Sequence, residues 1–329
     1  MNSGKEQGVG RLVAVVVTYN RLEQLKVTLP RLLESSGADL QAVIVVDNAS
    51  SDGTGEWLAG QGGAARLDVL RLETNLGGAG GFETGMRAAV ARHDPDWVVV
   101  MDDDARPEPG ALARFQGQDR SGAQAWAAAV YHPDGRICDM NRPSINPFWH
   151  RDVLWRTLSG KGRDGFHIGA AEYAGQTPVA IDGTSFVGFF ISREGMAKAG
   201  FPDGKLFIYG DDVLYTLGLT RAGGRILFDP NLRFEHDFST MTDGDQRFRP
   251  LWKSYYHYRN LLMVYRMASG VLFPLVFLAA SAKWLLKVRH HSGERRAFTG
   301  LVLRALRDGL LRRTDVPHRQ VMDWAKGRK

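Results

Sequence analysis

Cysteine is nearly absent. Cys138 is the sole one in 329 residues, which excludes an intrachain disulfide and a thiolate zinc cage and fits a reducing, cytoplasmic setting. The first ten residues, MNSGKEQGVG, are polar throughout, so no secretory signal is expected. Long apolar runs are also scarce. VLFPLVFLAASA stops after 12 residues at Lys283, whereas crossing a bilayer takes about 20. Phosphate-binding signatures are incomplete. NLGGAGGF contains Gly78-x-Gly80, yet neither the Lys-Ser/Thr of a P-loop nor the acid of a dinucleotide-binding fold follows it.

What is present is an ordinary globular composition, 44% hydrophobic and 24% charged, enough for a large core. The net charge of +6 is unevenly placed. From Lys283 to Lys329 there are 13 Lys and Arg against four Asp and Glu, so the rest of the chain is slightly acidic. Basicity that belongs to a tail argues against a nucleic-acid footprint and for a tail meeting an anionic surface.

The chain alternates buried strands with helices. RLVAVVVTYN (11–20), AVIVVD (42–47), 67–72 and WVVVMD (97–102) read as strands, with helices over 22–35, 54–59 and 82–92 between them. This order predicts an α/β fold, a Rossmann-like, doubly wound, mostly parallel sheet. Ligands bind such sheets outside the carboxyl ends of the strands. Thr18, Asn20, Asp47, Asn75 and Asp102 are expected to converge there.

Two acidic clusters carry the chemistry. Asp102, Asp103 and Asp104 close the fourth strand, and strand alternation predicts Asp102 and Asp104 on one face with Asp103 opposite. Adjacent carboxylates repel unless a cation or water compensates, so a hard divalent ion and a solvated acidic turn both account for them. KLFIYGDDVLY then runs an apolar segment into Asp211 and Asp212, and His236 stands beside two acids in FEHDF.

The ordered set VVVTYNR, VIVVDNASSDGT, NLGGAGGFETGM, VVVMDDDA, FIYGDDVLY and FEHDF resembles the inverting GT-A nucleotide-sugar glycosyltransferases of family 2, over roughly residues 11–240. DDDA and the glycine run look most like bacterial galactofuranosyltransferases, with rhamnosyltransferases as neighbours. The resemblance implies a nucleotide-sugar pocket lined by Thr18, Asn20, Asp47, Asn75, Gly77, Gly80, Gly81, Asp102 and Asp103. It implies Mn²⁺ or Mg²⁺ held by Asp102, Asp104 and His236. Asp212 matches the position of the catalytic base, and Asp211 replaces the usual preceding acid. The expected activity is transfer of galactofuranose from UDP-galactofuranose onto a glycan or lipid-linked glycan in cell-surface polysaccharide synthesis. A dTDP-rhamnose donor is the alternative within the class. A nucleotidyltransferase and a non-catalytic sugar-nucleotide-binding protein are the alternatives outside it.

The expected division is a glycosyltransferase domain over residues 1–245 and a helical, basic region over 246–329. WKSYYHYRNLLMVYR (252–266) reads as a helix whose Arg259 and Asn260 reach toward the site or pack in a core. The apolar segment after Gly270, with Trp284, Lys287 and the basic tail, suits a helix lying in a bilayer interface and equally a core or dimer helix. The expected location is peripheral, at the cytoplasmic face of the cell membrane.

Overall fold

The computed structural model describes residues 10–61, 63–237 and 247–327. The expected boundary at 245/246, most of the polar amino terminus and Phe238 of FEHDF lie outside the described residues. The amino-terminal half runs β1 (Leu12–Thr18), α1 (Leu22–Leu33), β2 (Ala42–Asp47), α2 (Thr54–Gly60), β3 (Leu67–Arg71), α3 (Gly77–His93) and β4 (Trp97–Asp102). Every residue of β1 and β2 is buried. Such strands sit in a sheet covered on both faces, which is why they read as unbroken valine runs.

The middle of the chain adds β5 (Ala105–Pro107), α4 (Ala111–Gly117), β6 (Ala125–Tyr131), α5 (Arg151–Arg156), α6 (Ala170–Tyr173), β7 (Val179–Ile181), β8 (Phe189–Ser192), α7 (Arg193–Ala199), α8 (Asp211–Arg221) and β9 (Ile226–His236). One sheet results, in the order β3-β2-β1-β4-β8-β6-β9-β5, with β7 paired to β9. β1 to β4 are mutually parallel, as the alternation of strand and helix predicts. Beyond β4 the sheet is mixed: β8 runs antiparallel to both β4 and β6.

Register positions the site. Thr18 is opposite Asp47 and Val17 opposite Asp102, so three strand ends present their polar residues at one edge. Ala105 pairs with His236, which brings the end of β9 to the Asp102–Asp104 turn. β9 is 11 residues long. Its length is what carries His236 to the cleft.

The glycine run is helical rather than a loop. α3 begins at Gly77, whose φ of +74° is open to glycine and costly for other residues. A Cβ there would meet the Phe207 carbonyl oxygen at 2.1 Å, and one at Gly81 would meet Val17 at 2.5 Å. Close packing of α3 on β1 and on the segment before α8 explains these glycines.

The carboxyl-terminal helices are α9 (Lys253–Ser269), α10 (Phe273–Leu286), α11 (Arg295–Leu310) and α12 (His318–Ala325). Arg259 and Asn260 of α9 are fully buried. The Asn260 side-chain amide lies 3.0, 2.8 and 2.8 Å from the carbonyls of Leu206, Ile208 and Tyr209, and Arg259 Nη2 donates to Leu206 O at 2.8 Å. Phe207 and Tyr209 both have positive φ, 70° and 67°. Left-handed backbone at non-glycine residues costs on the order of 1–3 kcal/mol each and persists only where the surroundings impose it. Arg259 and Asn260 therefore do not reach the cleft; they clamp the strained segment that delivers Asp211 and Asp212.

Removing that clamp leaves buried carbonyls unpaired. Asn260→Ala is expected to lower unfolding stability by about 3 kcal/mol. Urea denaturation monitored by circular dichroism checks this; an unchanged midpoint contradicts it.

Candidate active site

Three carboxylates emerge where β4 ends. Asp102 is the last strand residue, and Asp103 and Asp104 form the turn into β5. Alternation does not extend past the end of the strand: Asp103 and Asp104 both face Arg21, and Asp104 also meets His236. Asp104 Oδ1 lies 3.1 Å from His236 Nε2, and the carboxylate pairs with Arg21. Burial would raise its pKa, but the hydrogen bond and charge of His236, with Arg21, hold it below the usual carboxylate range. Asp103 is pushed up to about 7 by burial, opposed by Thr18, Arg21 and the Tyr19 amide.

Asp102 ionises well above the ordinary range. Burial is the main cause, followed by the charges of Asp104, Asp103, Asp211 and Asp212. That last pair matters most, because it puts the two acidic clusters within electrostatic reach of each other. Asp211 is raised to about 8 by burial and by Asp212, while Asp212 is raised to about 6 by burial, opposed by the Val213 amide. Asp211 shares a helix face with Leu214, Tyr215 and Gly218, lining a cavity of about 350 Å³ closed by Met263, Met267, Arg312 and Thr314. Asp212 lies about 100° further round α8.

His236 is oriented by a residue that the sequence did not reveal. Its Nδ1 lies 2.7 Å from Asn141 Oδ1, which also accepts from Cys138 Sγ at 2.8 Å, while Asn141 Nδ2 donates to Ser185 Oγ at 2.8 Å. This geometry makes Nδ1 the donor and aims Nε2 at Asp104, as second-shell partners of metal-binding imidazoles do. Among the described residues no three His, Cys, Asp or Glu side chains close into a cage for an ion. At the end of β4 the imidazole and carboxylate of His236 and Asp104 stand paired, with Asp102 electrostatically linked to Asp104.

The remaining expected donor-pocket residues are held mainly by their own loops. Asp47 is fully buried, accepts from the Ser50 amide at 2.9 Å, and keeps Oδ2 without a hydrogen-bond partner, 3.6 Å from Arg71 Nε. Asn20 has a φ of 53° and accepts from the Ser51 amide at 2.7 Å. Asn75 accepts from the Gly77 amide at 2.7 Å. The Thr18 hydroxyl is buried beside Asp103 and favours that carboxylate's charged form. Gly80 and Gly81 lie in the first turns of α3, where a Cβ would meet Leu76 and Val17. Sequence reading also missed Arg21, the cation facing Asp103 and Asp104. Its place directly after the polar end of β1 was the available signal.

A model described as "Glycosyl transferase family 2" matches residues 13–183, just over half of the chain. The chain belongs to glycosyl transferase family 2. It is 31% identical over 211 residues to "Galactofuranosyltransferase GlfT1" of Mycolicibacterium smegmatis, covering 64% of this chain and 65% of that protein. It is 33% identical over 216 residues to the protein of the same name from Mycobacterium tuberculosis strain CDC 1551 / Oshkosh, covering 64% of each. The chain thus spans slightly less than two thirds of these relatives' length. A crystal structure of GalNAc-T7 with UDP, GalNAc and Mn²⁺ superposes with a TM-score of 0.58 at 13% identity, over 97% of this chain and 57% of that one. That likeness shows the GT-A fold.

Burial of Asp211 has a consequence for stability. A folded-state pKa near 8 against about 4 unfolded means the unfolded chain loses this proton first. Stability therefore falls as pH rises from about 4 to about 8 and is level above that. Asp211→Asn removes the penalty, so its melting temperature is expected to gain on the unmodified protein between pH 5 and pH 9. Parallel melting curves across that range contradict the buried, protonated state.

Proposed function

We propose that this glycosyltransferase moves galactofuranose from UDP-galactofuranose, with inversion, onto a glycan or lipid-linked glycan acceptor at the cytoplasmic face of a membrane. The observation that carries the reading is the proximity of the two acidic clusters, with Asp102 within electrostatic reach of both Asp211 and Asp212. One acidic cluster suits the donor's diphosphate and its cation, and the other suits the acceptor. The donor assignment is supported by the galactofuranosyltransferase relatives.

Asp212 is the better base of the two. Burial raises both acids, and of the two Asp212 stands at the position that matches the base in the family resemblance. Asp212 removes the acceptor hydroxyl proton as that oxygen attacks the anomeric carbon. The bond to the diphosphate breaks and its electron pair leaves with UDP. Asp211 acts as a neutral neighbour that keeps a second charge out of the cleft.

Asp104, His236 and Asp102 are the residues that would hold Mn²⁺ or Mg²⁺. Oxygen and imidazole donors fit such an ion, and the incomplete cage leaves ligand positions for diphosphate oxygens. When bound, the ion neutralises charge developing on the leaving group. Asn141 holds His236 in the required tautomer, and Arg21 offsets the remaining acids. Thr18, Asn20, Asp47 and Asn75 would line the nucleoside side. Asp47 would meet the base only after its loop yields, since it is fully buried as it stands.

The test pairs a panel of nucleotide sugars with one variant. UDP-galactofuranose is expected to be consumed in preference to dTDP-rhamnose. Asp212→Asn is expected to cut turnover by about 10²–10⁴-fold while UDP affinity stays near normal. Near-normal turnover of the variant, or preference for the rhamnose donor, refutes the corresponding part.

A further inference from the structure

The helical run Lys253–His290 is long and apolar enough to cross a membrane by composition, but its first half cannot do so. α9 carries the buried Arg259–Asn260 clamp and belongs to the protein core. That leaves α10, 14 residues or roughly 21 Å, shorter than a bilayer's apolar thickness of about 30 Å. α10 packs inward through Phe273, Ala280 and Trp284, with Phe277 and Leu285 partly buried against the same core. Its outer stripe is bare: Val271 just ahead of it is 94% exposed, Leu275 67%, Leu278 65% and Leu286 65%.

A second bare element lies at the same end of the molecule. The insertion around α5 exposes Trp155 (72%) and Leu158 (68%). It is tied to the last turn of α9 by Asn146 Nδ2 donating to Ala268 O at 3.1 Å and by Phe148 packed with Val264 and Ala268. It is braced from behind by Asp182, which accepts from the Asn146 amide at 2.7 Å and lies 2.9 Å from His150 Nε2. Ala268 precedes Val271 by three residues, so both apolar elements depart from one anchor.

Charge identifies what covers them. Between Trp149 and Arg163 the chain has Arg151, Arg156, Lys161 and Arg163 against Asp152. From Gln246 to Gly293 there is no Asp or Glu, but eight Lys and Arg. A second copy docked face to face by two-fold symmetry would oppose like charges. An anionic bilayer surface supplies the opposite sign along with an apolar boundary for Trp and Leu.

We infer that α10 and the 149–163 insertion form one two-point docking surface for an anionic lipid bilayer, fixing how the cleft faces the membrane. The inference rests on the membrane part of the proposed function and extends it to a second, unassigned element. Two contacts resist tilting where one helix would rock, so a lipid-linked acceptor would reach Asp212 from a constant direction.

Flotation of the full chain with phosphatidylcholine vesicles, with and without phosphatidylglycerol, tests this. The unmodified protein is expected to float only with the anionic vesicles. Trp155→Ser/Leu158→Ser and, separately, Arg156→Glu/Lys161→Glu are each expected to weaken partitioning by about tenfold. Melting temperature and transfer to a soluble acceptor are expected to stay unchanged. Leu275→Ser/Leu278→Ser is expected to abolish flotation. Normal flotation of both insertion pairs with loss in the α10 pair overturns the two-point surface while leaving the membrane reading intact. No flotation of the unmodified protein overturns both, and leaves the donor reading to its own assay. A dimer in light scattering that the α10 pair dissolves, without vesicle binding, makes the stripe a self-interface and also overturns the inference.

Discussion

Five carboxylates share one end of the sheet, and their mutual repulsion is the constraint that the rest of the cleft answers. Asp102, Asp103, Asp211 and Asp212 are all pushed up, and Asp104 is held down by His236 and Arg21. A fold would shed such a cluster if it served only stability, because unpaired buried charge is costly. Here the parallel register of β1, β2 and β4 gathers the acids at one strand edge, and β9 is long enough to bring a histidine to them. The cluster is a partly compensated acidic site, and the proposed donor-bound cation would complete its neutralisation.

The second acidic pair depends on the carboxyl-terminal helices. Residues 206–209 pass through left-handed backbone at Phe207 and Tyr209 before α8 begins. α9 secures them with one arginine and one asparagine, both fully buried. The helical region is thus part of the active-site scaffold, besides carrying the apolar stripe of α10. Burial at the start of α8 then separates the pKa values of Asp211 and Asp212, as environments do when two neighbouring acids divide their roles.

Much of the parallel half was legible because strands buried on both faces leave long apolar runs, such as AVVV in β1 and AVIVV in β2. The polar residues ending those runs marked the cleft for the same reason. What escaped depends on contacts distant in sequence. Asn141 meets His236 across 95 positions, and Arg21 meets Asp104 across 83. The glycines of α3 suggested a loop because glycine weakens helices, yet Val17 and the Phe207 carbonyl require them. α11 and α12 lie in the basic region expected to be helical, and α11 buries Phe298, Leu301, Val302 and Ala305.

The proposed direct displacement, with Asp212 as base, makes one central claim about stereochemistry. A single attack from the face opposite the diphosphate inverts the anomeric carbon. The configuration of the transferred sugar, read by nuclear magnetic resonance on product made from an α-linked nucleotide donor, tests this most directly. The account predicts a β-linked product; an α-linked product would contradict it.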